Sequence, residues 1–405
     1  VDIEIRTITE DAFASWVDAM ERAFGGVPSE DDVAFERRLA ELDRTYGAFD
    51  GDRIVGTAAA FTMPMTVPGG DVSVGYVTGV GVAPTHRRRG VNTALMTALL
   101  EAARERRESV AVLYASEGGI YGRFGYGLAT FGLGFDIETD RAAFVRGYAP
   151  AGTIRLAERA EAIEAILPLH RSIRRTIPGM VELDAARFGY TLHDHGPDRE
   201  NPYFFALHDA DGRLDGWAIY RIRHDWAGGI PNSTLQLRDL HAENPGAFAD
   251  LWRYLLDMDL VARVQGGGRP ADEPLLHLLR EPRRLRAKIL DGLWLRLVDV
   301  GGALEARRYG GAGRLVLEIR DALCPWNDGR WALEVAPGGA GSCSRTDDEA
   351  AIALSVSELG AAYLGGVAFG RLARAGLVEE RSAGAIAVAD AMFTWDPAPW
   401  SPYIF

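Results

Sequence analysis

Apolar positions in the first 150 residues switch between two periods. Over 91–106, Val91, Leu95, Ala98 with Leu99, and Ala102 recur at i, i+4, i+7 and i+11, the stripe of an amphipathic helix. A second helical pattern covers 9–24. Strand-like segments lie at 45–50, 53–61, 72–82 and 110–115, the first two joined by the turn Asp50-Gly51-Asp52. The order 72–82, 91–106, 110–115 predicts a strand-helix-strand unit in a mixed sheet.

After a loop-like stretch at 148–152 a new α/β pattern begins. A helix is expected at 157–173, strands at 203–209, 214–223 and 233–240, and a helix at 247–261. The Gly/Pro-rich run 265–270 reads as a linker. From about 293 the pattern changes to short strands at 294–300, 313–320 and 330–335, then helical pieces at 355–364 and 370–375. At 405 residues the chain exceeds one ordinary domain. Three are expected, at 1–150, 151–288 and 289–405, in an α/β (α+β) fold.

Composition adds limits. With 47% hydrophobic and 25% charged residues the chain can bury sizeable cores. A formal net charge of −13 argues against a nucleic-acid partner and favours a cationic one. Cys324 and Cys343 have neither metal-ligand spacing nor a disulfide framework, which fits a reducing cytoplasm. No apolar run is long enough to cross a bilayer and no basic-plus-apolar segment opens the sequence, so neither a membrane nor secretion is expected.

The chemistry-bearing stretch is 80-VGVAPTHRRRGVNTALM-96. Pro84 cannot continue a ladder, so the strand stops and a loop begins. Thr85 to Gly90 delivers the chain to a helix N-terminus, whose first N–H groups lack intrahelical partners. Arginines, a glycine that admits close approach, and those N–H groups together suit a pyrophosphate. A solvated basic loop is the bland alternative. Some thirty residues on, 115-ASEGGIYGRFGYG-127 places Tyr121 four residues before Gly125-Tyr126, just past the strand 110–115.

Strand, R-x-x-G loop, helix, strand and Tyr-bearing segment in this order resemble the GNAT N-acetyltransferase superfamily. The two motifs together are similar to the Eis family, bacterial acetyltransferases that modify aminoglycosides at several amines. The resemblance implies two tandem GNAT-like domains and a C-terminal domain like a sterol carrier protein, assembled as a homo-hexamer. It implies acetyl-CoA as co-substrate, its pantetheine arm along Val80, Gly81 and Val82. Arg87, Arg88, Arg89 and Gly90, with the N–H groups of Val91, Asn92 and Thr93, would take the pyrophosphate; Ser116 and Glu117 would lie beside the cofactor. Tyr121 becomes the general acid that protonates the leaving thiolate, with Tyr126 as its competitor. The C-terminal carboxylate, here of Phe405, becomes the general base. Asn92 stands where many superfamily members have Gly or Ala. Gly79 stands where aminoglycoside-modifying members have an aromatic, and Ile404 where they have an acid.

The remaining segments are weighed in the same way. His241 to Gly246 follows the central strand with no arginine and with Glu243 facing any phosphate, so the second GNAT-like copy is expected to be non-catalytic. His193-Asp194-His195 with Asp198 has no recognised metal-ligand spacing, and no metal is expected. The tail 393-FTWDPAPWSPYIF-405 is aromatic and proline-stiffened where termini are usually polar and frayed, which suggests that it is tucked in. A small cationic amine acceptor would be held by acidic and aromatic residues of 21–35, with Phe24 and Phe35 as candidates. Rival readings are protein lysine acetylation and a lipid-binding protein with scaffold domains.

Overall fold

The computed structural model describes residues 3–193 and 201–404. The chain forms two compact units, one made of Val1–Thr130 with Leu293–Asp396, the other of Phe131–Gly292 with Pro397–Ile404. The consecutive segments expected from composition are thus threaded through two bodies.

The first unit opens with β1 (Glu4–Thr7), α1 (Phe13–Phe24), α2 (Glu30–Arg37), β2 (Thr45–Asp50), β3 (Arg53–Val67) and β4 (Gly70–Val82). Then come α3 (Val91–Glu105), β5 (Val110–Tyr114), the single turn α4 (Gly118–Tyr121) and β6 (Gly127–Leu128). Successive strand residues face opposite sides of a sheet. Ala48 and Ala58 accordingly join Val91, Leu95 and Leu99 of α3 in one core, while Phe49 and Ala59 join Phe13, Trp16 and Val17 of α1 in another. Gly56 lets α3 close in, since a Cβ there would lie 2.8 Å from Val91 Cγ1. Within the unit Arg44 and Glu108 form a buried two-pronged ion pair at 2.7 Å per prong, joined by the Thr62 hydroxyl. Gly75 makes room for it; a Cβ there would sit 2.9 Å from Glu108 Oε2.

The second unit holds β7 (Phe131–Glu138), β8 (Thr153–Ala157), α5 (Arg159–Arg174), α6 (Ala185–Thr191), β9 (Phe204–Ala210) and β10 (Arg213–Arg223). A small hairpin, β11 (Trp226–Ala227) with β12 (Ile230–Pro231), leads to β13 (Ser233–Ala242), α7 (Pro245–Leu256), β14 (Val261–Pro270), the single turn α8 (Leu275–Leu278) and β15 (Lys288–Asp291). Its sheet runs β15-β7-β14-β13-β10-β9-β8. The glycine run expected to be a linker is therefore strand β14, parallel to β13. Glycine is required inside it because a Cβ on Gly266 would lie 2.6 Å from the Phe135 ring. The helix expected at 247–261 ends at Leu256, and Val261 already belongs to that strand.

The chain then returns to the first unit. β16 (Leu293–Leu297) pairs with β5 and β6, completing the order β1-β2-β3-β4-β5-β16-β6. After α9 (Val300–Glu305) come β17 (Gly313–Arg320), β18 (Gly329–Val335), β19 (Gly341–Arg345) and β20 (Ile352–Ser355). Helices α10 (Val356–Ala362) and α11 (Phe369–Arg374), strand β21 (Glu379–Glu380) and α12 (Ala385–Phe393) follow. Arg307 is buried here; it donates to the carbonyls of Tyr363 and Phe393 and lies 4.7 Å from the ring centres of Tyr309 and Phe393. Burial brings its guanidinium down to about 10.

A buried network ties the second unit together. His208 Nδ1 lies 2.5 Å from Asp215 Oδ1, and Nε2 lies 2.9 Å from Asp250 Oδ2. Asp250 also accepts from Tyr148 and from the Ala151 and Gly152 N–H groups, and Asp215 from Asn244. Burial opposes the charged imidazole, but hydrogen bonds and charge from the two aspartates outweigh it and raise its pKa. A His raised on folding stabilises below its unfolded value near 6.5 and loses that contribution as pH rises through the folded value. We therefore expect the unfolding midpoint of this unit to be highest near pH 6 and to fall as pH rises through the raised His208 value. His208→Gln should lower the midpoint at pH 6 and flatten that fall, as read by denaturant titrations at several pH values.

Candidate active site

The site grows from one parallel strand pair. β4 and β5 pair at Val74 with Val110, Gly75 with Ala111 and Tyr76 with Val112, and there pairing ends although β4 continues to Val82. Just past that rung β4 bulges: Gly79 and Val80 both oppose Ala58 of β3. Gly79 has φ +60°, and its carbonyl accepts from the Thr57 hydroxyl at 2.8 Å. A Cβ on Gly79 would be 2.8 Å from the Trp16 ring, so Trp16 of α1 fills the space that a larger residue here would need. The Ala83 N–H donates to the Val55 carbonyl on the β3 side. By alternation the backbone groups of Val82 and Val80 point to the opposite, unpaired edge.

Past the bulge the chain is held before it turns. The His86 ring lies between Thr85 Oγ1 at 2.8 Å and Asp50 Oδ2 at 3.2 Å. Arg87 is extended, Arg88 left-handed at φ +64°, and Gly90 left-handed at φ +81° as the N-cap of α3. No side chain caps the helix, and its first internal bond runs from the Ala94 N–H to the Gly90 carbonyl. The N–H groups of Val91, Asn92 and Thr93 have no helical partner. A Cβ on Gly90 would meet nothing within 4 Å, so the cradle is open above it. Asn92 Oδ1 is buried there without a hydrogen-bond partner among the described residues.

Tyr121 ends α4 across the same cleft and is 5% exposed. Burial raises its pKa, opposed by a hydrogen bond with Ser116 and assisted by the Glu117 charge. It therefore carries its proton throughout the neutral range. Tyr126 touches it edge-on at 6.1 Å but is fully buried and does not line the cleft. Of the two competing tyrosines only Tyr121 faces the open volume.

That cleft, of about 560 Å³, gathers Phe24, Val80, Gly81, Val82, Arg87, Arg88 and Gly90 with Val91, Asn92, Thr93, Ser116, Glu117 and Tyr121. Arg89 and Phe35 are not among its lining residues; Arg89 is exposed and Phe35 is half-buried on α2. Phe405 lies outside the described residues, as do His195 and Asp198. Among the described residues no cluster of His, Cys, Asp and Glu could hold a metal ion, and no helix is long and apolar enough to cross a membrane. Sequence reasoning missed His86 and Arg123, which also line the cleft. His86 stood inside the quoted basic run, and only the approach of Asp50 marks it.

The second unit carries the same frame without the cradle. Asn244 caps α7 and accepts from the Ala247 N–H at 2.9 Å, while Pro245 offers no N–H. Glu243 is paired with Arg213. Its helix start thus carries a side-chain cap that α3 lacks.

The acetyltransferase (GNAT) domain family matches residues 4–129, a second acetyltransferase (GNAT) domain family matches 179–297, and the sterol carrier protein domain family matches 300–402. An uncharacterized N-acetyltransferase of Streptomyces avermitilis is 41% identical over 413 residues, 99% of each chain. N-acetyltransferase Eis of Mycobacterium tuberculosis is 34% identical over 365 residues, 86% of this chain and 85% of its own. The crystal structure of Eis1 from Mycobacterium abscessus matches with a TM-score of 0.86 at 35% identity, over 99% of this chain and 100% of that one. A GCN5-related N-acetyltransferase from Anabaena variabilis matches with a TM-score of 0.86 at 20% identity, a likeness of fold.

The bulge predicts a sharp effect. Gly79→Ala forces a left-handed alanine against Trp16, and we expect a loss of about 1–3 kcal/mol in chemical denaturation. The same change at Gly51, also left-handed but with nothing within 4 Å of its Cβ, should cost less.

Proposed function

The chain belongs to the Eis family of GNAT N-acetyltransferases, and from that footing we propose that it acetylates a polycationic amine, in particular aminoglycosides at more than one position. It is an N-acetyltransferase with acetyl-CoA as co-substrate. The observation that carries the reading is one cleft combining the unpaired β4 edge, the uncapped start of α3 and a proton-bearing tyrosine.

Acetyl-CoA supplies the acetyl group as a thioester. The Val91, Asn92 and Thr93 N–H groups with Arg87 and Arg88 would hold its phosphates, and the outward backbone groups of Val80 and Val82 its amide-bearing arm. Asn92 Oδ1, buried without a partner, is suited to accept from a bound N–H or O–H. The acceptor amine attacks the carbonyl carbon directly as the carbon–sulfur bond breaks. The Phe405 carboxylate takes one proton from the acceptor ammonium, Tyr121 gives its proton to the departing sulfur, and the second proton shed by the new amide nitrogen restores the phenol through solvent. The first unit's residues 3–130 contain no cysteine, so no acyl-cysteine step is invoked. Acidic residues at the start of α2, Glu30 and Asp31, together with exposed Phe24, offer a cationic acceptor charge and an aromatic face. The hexamer and the cytoplasmic location implied by the family belong to the same reading.

The test is acetyl transfer from acetyl-CoA to an aminoglycoside, a simple polyamine and a lysine peptide, followed by product mass. Expected is a gain of more than one acetyl on the aminoglycoside. Tyr121→Phe should lower kcat by about 10²–10⁴ with KM for acetyl-CoA little changed. Turnover only on the peptide would replace the acceptor class, and undiminished turnover by Tyr121→Phe would remove the assigned acid.

A further inference from the structure

The second unit repeats the parted strands of the first. β13 and β14 are parallel and pair from Ser233 with Val261 to Leu237 with Gly266; then pairing ends, although β13 runs on to Ala242 and β14 to Pro270. As in β4, a bulge follows at once: Asp239 and Leu237 pair with the adjacent Ile219 and Tyr220, leaving Arg238 as the extra residue. On its other side β14 loses register with β7 between Gly266 and Arg269. The region past the last rung therefore has strand backbone with no ladder partner, which needs another.

The chain's own tail supplies one. Trp400 Nε1 donates to the Gly268 carbonyl on β14 at 2.5 Å, and the Trp400 N–H donates to the Pro178 carbonyl at 2.8 Å. Across the gap the Trp400 ring lies 4.9 Å from His241 of β13, which stacks at 4.7 Å on Trp217 of β10. Arg269 lies 5.1 Å from the Trp400 ring centre. Tyr403 donates to Asp239 of β13 at 3.4 Å, and that carboxylate also accepts from Trp217 at 3.0 Å. Trp400 and Tyr403 are 4% and 3% exposed, whereas Ile404 is 60% exposed, so the anchored part stops one residue before Ile404. Trp400 thus bridges both strands beyond their last shared rung, and Tyr403 adds a hydrogen bond to β13.

We propose that the parted end of β13 and β14 is a dock for the C-terminal segment, and that Trp400 and Tyr403 are positioning residues that fix where the Phe405 carboxylate can reach. This rests on the reading of Phe405 as general base. The same strand geometry that is unbridged in the first unit is bridged in the second by Trp400.

The test joins proteolysis to kinetics on the full chain. Carboxypeptidase digestion followed by mass should stall within the wild-type tail, because Tyr403 is buried. Trp400→Ala should speed release of the last residues by about tenfold or more, and Trp400→Phe, which keeps a ring on His241, should restore most of the protection. Trp400→Ala should also lower kcat by about ten- to a hundredfold with KM for acetyl-CoA unchanged, and Tyr403→Phe should do so less. Unchanged digestion in Trp400→Ala overturns the dock, as does a raised KM for acetyl-CoA with unchanged kcat. A variant lacking Phe405 separates the two ideas. Full activity in it removes the base, while the digestion result still decides the dock.

Discussion

Two parallel strands that separate after a few rungs leave N–H and C=O groups with no ladder partner, and most of this structure answers that constraint. In the first unit β4 and β5 part after Tyr76 and Val112, and a bulge at Gly79 turns the free edge toward an open cleft. In the second, β13 and β14 part after Leu237 and Gly266, and Trp400 of the tail bridges them. One frame therefore has two outcomes, an edge that lines a cleft of about 560 Å³ and an end bridged by Trp400 of the chain's own tail. The helix that follows matches each outcome. α3 starts without a side-chain cap at Gly90, whereas α7 starts capped by Asn244, with Pro245 at its first position.

What the sequence could reveal follows from what is local. The α3 stripe, the stop at Pro84 and the Gly90 turn are short-range effects, and each lies where its pattern predicts. Non-local demands were hidden. The glycines of β14 read as a flexible run because their cause, the Phe135 ring of another strand, is 131 residues from Gly266 in sequence. β7 was missed for the same reason, its Gly132 and Gly134 masking a strand that two neighbours pin in place. β16 begins a segment that composition assigns to the C-terminal part, yet its partners are β5 and β6. Of the candidate cleft residues, those fixed by backbone turns were legible, while Arg89 and Phe35 depended on side-chain direction and fall outside it.

Buried charge recurs as the means of fastening each body. Arg44 with Glu108 ties the strand-bearing part of the first unit to the end of α3, and breaking such a pair leaves one charge unmatched, which typically costs about 3–5 kcal/mol. His208 holds two aspartates, and through them the caps around Tyr148 and Asn244. Arg307 has carbonyls and aromatic faces around its guanidinium. Each network draws its partners from several chain segments at once, which specifies one arrangement of those segments.

The central claim is that acetyl-CoA binds at the parted frame of the first unit and not at that of the second, which Trp400 bridges. Isothermal titration of the purified chain with acetyl-CoA measures this most directly. The account predicts one binding site per chain, weakened by substitution of Arg88 and unaffected by substitution of Arg238. Two equivalent sites per chain, or a single site lost with Arg238 rather than Arg88, would contradict it.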